Sequence, residues 1–144
     1  MSAILGEFKG RDHHYRLRIF YEDTDFSGAV YHANYLKYFE RGRSSFLALL
    51  GVEHCELWSE HNRAFVISKM EIDYLKPAHV DDELTIVTRY ETISGARMMI
   101  AQKCFRGDEL LVEAICHAVI VTRDARPARA PKFLIDIIKP YLQD

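Results

Sequence analysis

The chain has 144 residues, of which 49% are hydrophobic and 28% charged, which is typical of one globular domain of ordinary size. Its formal net charge of −2 gives no reason to expect nucleic acid as the main partner. No apolar run reaches the roughly 18 residues that a transmembrane helix needs, and the N-terminus lacks the basic start and apolar stretch of a signal peptide. We therefore expect a single domain over residues 1–144 in the cytoplasm.

The pattern of apolar residues predicts one strand, one helix and then four more strands. Residues 15–21 alternate like a strand, and residues 33–50 carry apolar side chains at helical spacing before Gly51. A short polar stretch around Trp58 has room for another helical turn. The later strand-like runs, separated by turn residues, are 63–76, 83–93, 97–106 and 109–122.

The last of these runs is apolar on both faces, which is typical of a central strand or of a strand used in an oligomer contact. One helix after the first strand, then four antiparallel strands, predicts an α+β fold in which a sheet of about five strands curves around one long helix. The helix covers one face of such a sheet, and the other face needs a partner. We therefore expect a homodimer or homotetramer.

Several kinds of site are not indicated by the sequence. Cys55, Cys104 and Cys116 lack CxxC spacing, and we expect reduced thiols, the last two as small buried strand residues. The seven histidines show neither HExxH spacing nor a cysteine partner at zinc-finger spacing, so no metal site is expected. The chain also has no GxSxG motif, which leaves a serine hydrolase mechanism without a candidate nucleophile.

The most informative segment is residues 21–43, YEDTDFSGAVYHANYLKYFERGR. It places two carboxylates, a Ser-Gly turn and a Tyr-His pair just before the predicted helix. A helix N-terminus offers unpaired backbone N–H groups and the positive end of the helix dipole. Such donors stabilise negative charge on a ligand or on a reacting oxygen, so a neighbouring carboxylate is compatible with acyl-transfer chemistry.

A calcium loop is the main alternative interpretation of this segment. Asp23, Asp25, Ser27 and Gly28 fit the opening of an EF-hand loop. The twelfth position needs a bidentate glutamate and carries Asn34 instead, and a strand rather than a helix precedes the loop. The broken pattern argues against calcium.

The motif YxDTDxxGxVYHxNYLxYFExxR, which leads from a strand into a helix, resembles the hotdog-fold acyl-CoA thioesterases of the 4-hydroxybenzoyl-CoA thioesterase type. Within them it is most similar to the Tol-Pal system-associated acyl-CoA thioesterases. The resemblance runs from about residue 15 to residue 123 and includes ISKMEIDYLKPAHVDDEL at 67–84. It implies a hotdog fold and the hydrolysis of an acyl-CoA thioester to a free acid and coenzyme A, without a cofactor.

The resemblance implies that Asp25 is the catalytic carboxylate. It would either attack the thioester carbonyl to form an acyl-enzyme anhydride or deprotonate the hydrolytic water, and the residues leave both routes open. Backbone N–H groups near Tyr31 and His32 would hold the oxyanion. Gly28 would serve as a turn residue that lets the backbone approach the ligand.

The same resemblance places Tyr21 and His32 in the site. His32 could donate to the leaving thiolate, orient Asp25 or hold a water, while helix capping is its structural alternative. Tyr21 is equally compatible with a core aromatic. Arg97 and Arg123 are the candidates for binding coenzyme A phosphates, although both also fit simple surface arginines.

Three functions follow from this interpretation. The first is an acyl-CoA thioesterase, with acyl-CoA as substrate and acyl carrier protein as a further candidate partner. The second is a hotdog hydratase or dehydratase, which leaves the thioester intact. The third is a binding scaffold for acyl-CoA or acyl carrier protein without catalysis. Release of free thiol from acyl-CoA separates the first function from the other two.

Overall fold

Six antiparallel strands form one sheet in the computed structural model, which describes residues 3–142. Their order across the sheet is β1-β2-β4-β5-β6-β3. The prediction of about five strands missed β1, which pairs with the beginning of β2 in an N-terminal hairpin. The strands are β1 (Glu7–Lys9), β2 (Asp12–Arg18), β3 (Ala64–Tyr74), β4 (Glu83–Ser94), β5 (Arg97–Arg106) and β6 (Glu109–Val121).

Three α-helices accompany the sheet. The helix expected over 33–50 is present as α1 (Asn34–Leu49), and the polar stretch around Trp58 forms α2 (His54–His61). A third helix, α3 (Lys132–Ile138), was not predicted; its Leu134 and Ile138 are fully buried. Among residues 3–142, no helix is long and apolar enough to cross a membrane.

The helix α1 packs tightly on one face of the sheet, and Gly42 marks the closest approach. A Cβ at Gly42 would lie 2.8 Å from Thr88 Oγ1 on β4 and 3.2 Å from Gln102 Nε2 on β5. The buried Gln102 amide donates to the Phe39 carbonyl at 2.8 Å and to Thr88 Oγ1 at 2.9 Å, so it joins helix and sheet by hydrogen bonds.

The central position predicted for the last strand is confirmed. The strand β6 pairs with β5 on one side and with β3 on the other, which places β3 at the edge of the sheet. Cys104 and Cys116 are buried as expected, and burial raises the pKa of the Cys104 thiol to about 12. Such a thiol stays protonated at neutral pH and is inert as a nucleophile.

The strand predicted over 15–21 ends earlier than expected. The strand β2 stops at Arg18, and Tyr21–Asp23 forms a turn of 3₁₀ helix. The Asp23 carboxylate accepts a hydrogen bond from the Phe20 N–H at 2.8 Å and turns the chain there. Tyr21 therefore lies on the loop that leads to α1 rather than on the sheet.

Candidate active site

Asp25 lies on a narrow hairpin-like loop. Thr24 pairs with Val30 across this loop, and the Asp25 N–H donates to the Ala29 carbonyl at 2.9 Å. The turn closes with a hydrogen bond from Gly28 N–H to the Asp25 carbonyl at 3.1 Å, and Gly28 has φ +86°. The positive φ favours a glycine here, and crowding does not, because a Cβ would meet no atom within 4 Å. Gly28 thus lies in a turn, and its predicted role in letting the backbone approach a ligand stays a prediction.

The Asp25 carboxylate is held by the residue two positions along the chain. Its Oδ1 accepts a hydrogen bond from the Ser27 N–H at 2.8 Å and another from the Ser27 hydroxyl at 2.5 Å. These two bonds, the hydroxyl first, lower the pKa of Asp25 below its ordinary value, and the group is exposed to solvent. Asp25 is therefore an oriented, ionised carboxylate at neutral pH. The Asp-x-Ser spacing is typical of a local side-chain turn, so the sequence could have identified Ser27 as the hydrogen-bond partner of Asp25.

A backbone clamp joins this loop to the start of α1. The Asp23 carbonyl accepts a hydrogen bond from the Tyr31 N–H at 3.0 Å and one from Asn34 Nδ2 at 2.8 Å. The Tyr31 N–H is thus already engaged, which leaves the N–H groups that follow it as the oxyanion donors expected near Tyr31 and His32. The N–H groups of His32 and Ala33, which follow it, have no acceptor within residues 3–142. These two donors are available to a ligand.

His32 is in contact with two tyrosines at the helix start. Its ring centroid lies 4.7 Å from that of Tyr31 and 6.1 Å from that of Tyr74. The Tyr74 hydroxyl also donates to the His32 carbonyl at 3.2 Å. Tyr74 comes from the end of β3, more than 40 residues further along the chain, and no local pattern marked it as a neighbour of the site.

The remaining predicted site residues differ in their surroundings. Tyr21 is 85% exposed, and its carbonyl accepts a hydrogen bond from the Thr24 hydroxyl at 2.9 Å. The structure surrounds the loop with other exposed aromatic side chains, among them Phe26 and Tyr31. Tyr21 is thus not a core residue, and an apolar, open surface borders the carboxylate.

Arg97 and Arg123 lie far from Asp25 within one chain. Arg97 begins β5 opposite Val119 of β6, whereas Tyr74 pairs with Val112 seven residues away, so about 23 Å of strand separates the two ends. The Arg123 guanidinium donates to the Trp58 carbonyl at 2.6 Å and lies 5.6 Å from the Trp58 ring centre. This contact ties the end of β6 to α2. Phosphate binding by either arginine stays a prediction.

The chemistry of the site follows from these contacts. An ionised, exposed carboxylate lies on a loop that the Asp23 carbonyl ties to the chain entering α1, where the His32 and Ala33 N–H groups have no acceptor among the described residues. A carboxylate can attack a carbonyl or activate water, and the N–H groups can accept the charge that develops on the carbonyl oxygen. The arrangement is suited to acyl transfer.

Comparison with known proteins agrees with this chemistry. The family model described as the thioesterase superfamily matches residues 27–113. The acyl-CoA thioesterase YbgC of Haemophilus influenzae is 36% identical over 117 residues, which cover 81% of this chain and 86% of that protein. The chain belongs to the thioesterase superfamily.

Other thioesterases of this superfamily extend the likeness. The acyl-CoA thioester hydrolase YbgC of Escherichia coli is 32% identical over 83% of this chain and 90% of its own length. The crystal structure of a probable thioesterase from Bartonella henselae superposes with a TM-score of 0.81 at 40% identity, covering 83% of this chain and 99% of the other. The hotdog fold expected from the sequence is therefore confirmed, with six strands.

Proposed function

We propose that this thioesterase-superfamily protein hydrolyses an acyl-CoA thioester to a free carboxylic acid and coenzyme A, with Asp25 as the catalytic carboxylate. The observation that carries the proposal is the exposed Asp25 carboxylate, which two hydrogen bonds from Ser27 orient and whose loop the Asp23 carbonyl ties to the start of α1. The names of the relatives from Haemophilus influenzae and Escherichia coli support the choice of substrate.

The thioester carbonyl oxygen receives hydrogen bonds from the His32 and Ala33 N–H groups in this proposal. Each such donor contributes roughly 2.7–4 kcal/mol of barrier lowering in acyl-transfer enzymes. Asp25 attacks the carbonyl carbon directly, giving free thiolate and an anhydride that water then hydrolyses to the free acid and the Asp25 carboxylate, or it takes the proton of the attacking water. Both routes break the carbon–sulfur bond and release coenzyme A. Gly28 leaves open space beside the loop, which the substrate would use.

His32 and Tyr21 complete the proposed site. The contact of His32 with Tyr31 and Tyr74 fixes its ring beside the two free N–H groups, where it can donate to the leaving thiolate or hold a water. Tyr21 and Tyr31 offer exposed rings against which the substrate can pack.

A homodimer formed through β3 would bring the two predicted arginines to the site. The strand β3 is an edge strand with an unpaired side, and Val66, Ile67 and Tyr74 on it are exposed apolar residues. Antiparallel pairing of β3 with a second copy places opposite ends of the strands side by side. Arg97 and Arg123 of one copy would then approach the Asp25 loop of the other and could meet the phosphates of coenzyme A. Pairing of two such dimers into a homotetramer, binding of acyl carrier protein and a cytoplasmic location stay predictions.

Substitution of Asp25 tests the proposed chemistry. In Asp25→Asn, thiol release from a panel of short, long and aromatic acyl-CoAs should fall by about 100- to 10,000-fold, because the amide can neither attack nor accept a proton. The fold should be unchanged, since Asp25 is exposed and the Asn amide oxygen still accepts from Ser27.

The matched control is Glu22→Gln, which removes an exposed carboxylate from the same loop. It should retain near wild-type turnover. Near-normal activity of a purified, folded Asp25→Asn protein would contradict the assignment. Acyl-CoA binding by the wild type without thiol release would instead favour the scaffold function, and addition or loss of water with the thioester intact would favour the hydratase.

A further inference from the structure

A short segment between β3 and β4, residues 77–82, holds both ends of the loop that carries Asp25. At the beginning of the loop, Ile19 makes two backbone hydrogen bonds to the segment, of 2.8 and 2.9 Å, one as donor and one as acceptor. At its end, the Val30 N–H donates to the Ala78 carbonyl at 2.8 Å. The position of the loop is therefore set by the position of the 77–82 segment.

The same segment also contacts α1. The Ala78 N–H donates to the Tyr35 hydroxyl at 3.2 Å, and Ala78 is fully buried. Tyr35 lies in the first turn of α1, just after the His32 and Ala33 N–H groups proposed as oxyanion donors. Ala78 thus binds the loop with its carbonyl and the helix with its N–H. The segment therefore fixes the Asp25 loop relative to the start of the helix.

The 77–82 segment is held in turn by Arg106, the last residue of β5. Its Nη1 group donates to the Asp82 carboxylate at 2.7 Å and to the Pro77 carbonyl at 3.3 Å, at the two ends of the segment. The Asp82 oxygen that accepts from Arg106 also accepts from the His79 N–H at 2.8 Å, so the ion pair closes the turn inside the segment. Both side chains of this ion pair are partly buried.

On its other side, the guanidinium of Arg106 is fixed by Glu109 at the beginning of β6. The Nε and Nη2 groups donate to one Glu109 oxygen at 3.2 and 2.7 Å, and Lys76 Nζ donates to the other oxygen at 2.9 Å. The contact with Glu109 spans three residues and would serve the β5–β6 turn by itself. The contacts with Pro77 and Asp82 span 29 and 24 residues and do not serve that turn. They therefore indicate a second role for Arg106.

We propose that Arg106 is a positioning residue for thioester hydrolysis. Through Asp82 and the 77–82 segment, it holds the Asp25 loop at a fixed position relative to the start of α1. This inference rests on the proposed function. In the part of the chain that the structure describes, the Arg106 side chain makes no hydrogen bond to the loop itself, so its effect on Asp25 passes through the segment.

Substitution of Arg106 and Asp82, singly and together, tests the inference. In Arg106→Gln, kcat should fall about 10- to 100-fold while KM stays within about twofold, because a misplacement of about 1 Å can cost about 100-fold in rate. Asp82→Asn, whose amide oxygen still accepts from the His79 N–H, should show the same loss. Because the two residues act as a unit, the double variant should fall no further than either single variant. Arg106→Lys keeps the charge without the planar fork and should recover part of the loss.

The Asp25→Asn background distinguishes positioning from general destabilisation. Since Arg106 acts through Asp25, Arg106→Gln should leave the residual thiol release of Asp25→Asn unchanged within about twofold. A loss of folded protein would lower turnover in both backgrounds. The matched control is Arg16→Gln, which breaks an exposed ion pair with Glu83, next to the segment, and should retain near wild-type kcat.

Hydrogen exchange supplies a measurement that does not depend on turnover. The Asp25 and Val30 N–H groups are bonded to the Ala29 and Ala78 carbonyls. In Arg106→Gln these two amides should exchange about tenfold faster or more, whereas amides between β4 and β5 should exchange as in the wild type. Arg106→Lys takes the place of the glutamine variant in this comparison if the latter does not fold.

The outcomes separate the two proposals. An unchanged kcat in Arg106→Gln, additive losses in the double variant, an equal loss in the Asp25→Asn background, or unchanged exchange of the Asp25 and Val30 amides would each overturn the positioning role while leaving the hydrolase intact. A wild type that releases no thiol, together with faster exchange of these amides in Arg106→Gln, would overturn the proposed function and support the hold of Arg106 on the loop.

Discussion

At the scale of single residues, the candidate site depends on a local hydrogen-bond pattern. A solvated acidic turn and a catalytic carboxylate have the same composition. What distinguishes them here is that both donors of Ser27 point at one oxygen of Asp25, which orients the carboxylate and holds its pKa low. The side chain stays exposed, so the carboxylate keeps its access to a substrate.

The Ser27 hydroxyl predicts a shift in the pH dependence of turnover. Asp25 acts only when ionised, so activity is lost as the pH falls through its pKa. Ser27→Ala removes the larger of the two causes that lower this pKa, and the acid limb of kcat/KM should move to higher pH. Ser27→Thr, which keeps a hydroxyl, should restore the wild-type limb. An acid limb that does not move in Ser27→Ala would show that the hydroxyl does not tune the catalytic group.

At the scale of elements, the site depends on the position of α1 relative to the sheet. The position of α1 sets the direction of the His32 and Ala33 N–H groups at its start. The middle of this helix packs against β4 and β5 around Gly42. The hydrogen bonds of Gln102 to Phe39 and Thr88 fix this contact in the core. A change in the packing of the helix would move the proposed oxyanion donors with it.

Gly42→Ala measures how closely α1 packs on the sheet. Alanine favours a helix over glycine by about 1 kcal/mol. The added methyl group, however, would lie 2.8 Å from Thr88 Oγ1 and 2.9 Å from Ile86 Cγ2, on β-branched side chains that cannot turn away. Because overpacking costs about 1–3 kcal/mol, we expect a lower Tm than wild type.

Lys37→Ala, an exposed change on the same helix, is the control for this measurement and should leave the Tm close to wild type. A Gly42→Ala protein with a raised Tm would mean that the helix is free to shift, and that helix propensity outweighs the contact. Thermal unfolding followed by circular dichroism or calorimetry reports the difference for both variants.

At the scale of the whole molecule, the proposed assembly depends on the free edge of β3. Val66→Lys introduces a charge among the exposed apolar residues of this edge and should convert a dimer into a monomer, measured as mass by light scattering after gel filtration. Ile4→Lys changes another exposed apolar residue, in the N-terminal turn, and should leave the mass unchanged. A wild-type protein that elutes as a monomer would contradict the proposed dimer and leave Arg97 and Arg123 without a role at Asp25.

The sequence by itself determined the elements that carry a local signal. Apolar periodicity and turn residues predicted α1 and the four long strands to within one or two residues at most ends, because each depends on side chains close in the chain. The motif around Asp25 was recognised for the same reason. The short β1 and the helix α3 were not predicted. The three residues of β1 are too few to show a period, and α3 is stabilised by the core contacts of Leu134 and Ile138 rather than by helix signals in the sequence.

Only the tertiary structure decided which groups meet. It engaged the Tyr31 N–H with Asp23 and left the His32 and Ala33 N–H groups without an acceptor among the described residues. It also placed Tyr74 on His32 and held Arg97 at the far end of the strands. It also formed a cavity beside Ser44, from residues of α1, α2 and four strands. These contacts join residues far apart in sequence, and the pairing of the strands and the packing of α1 on the sheet bring them together.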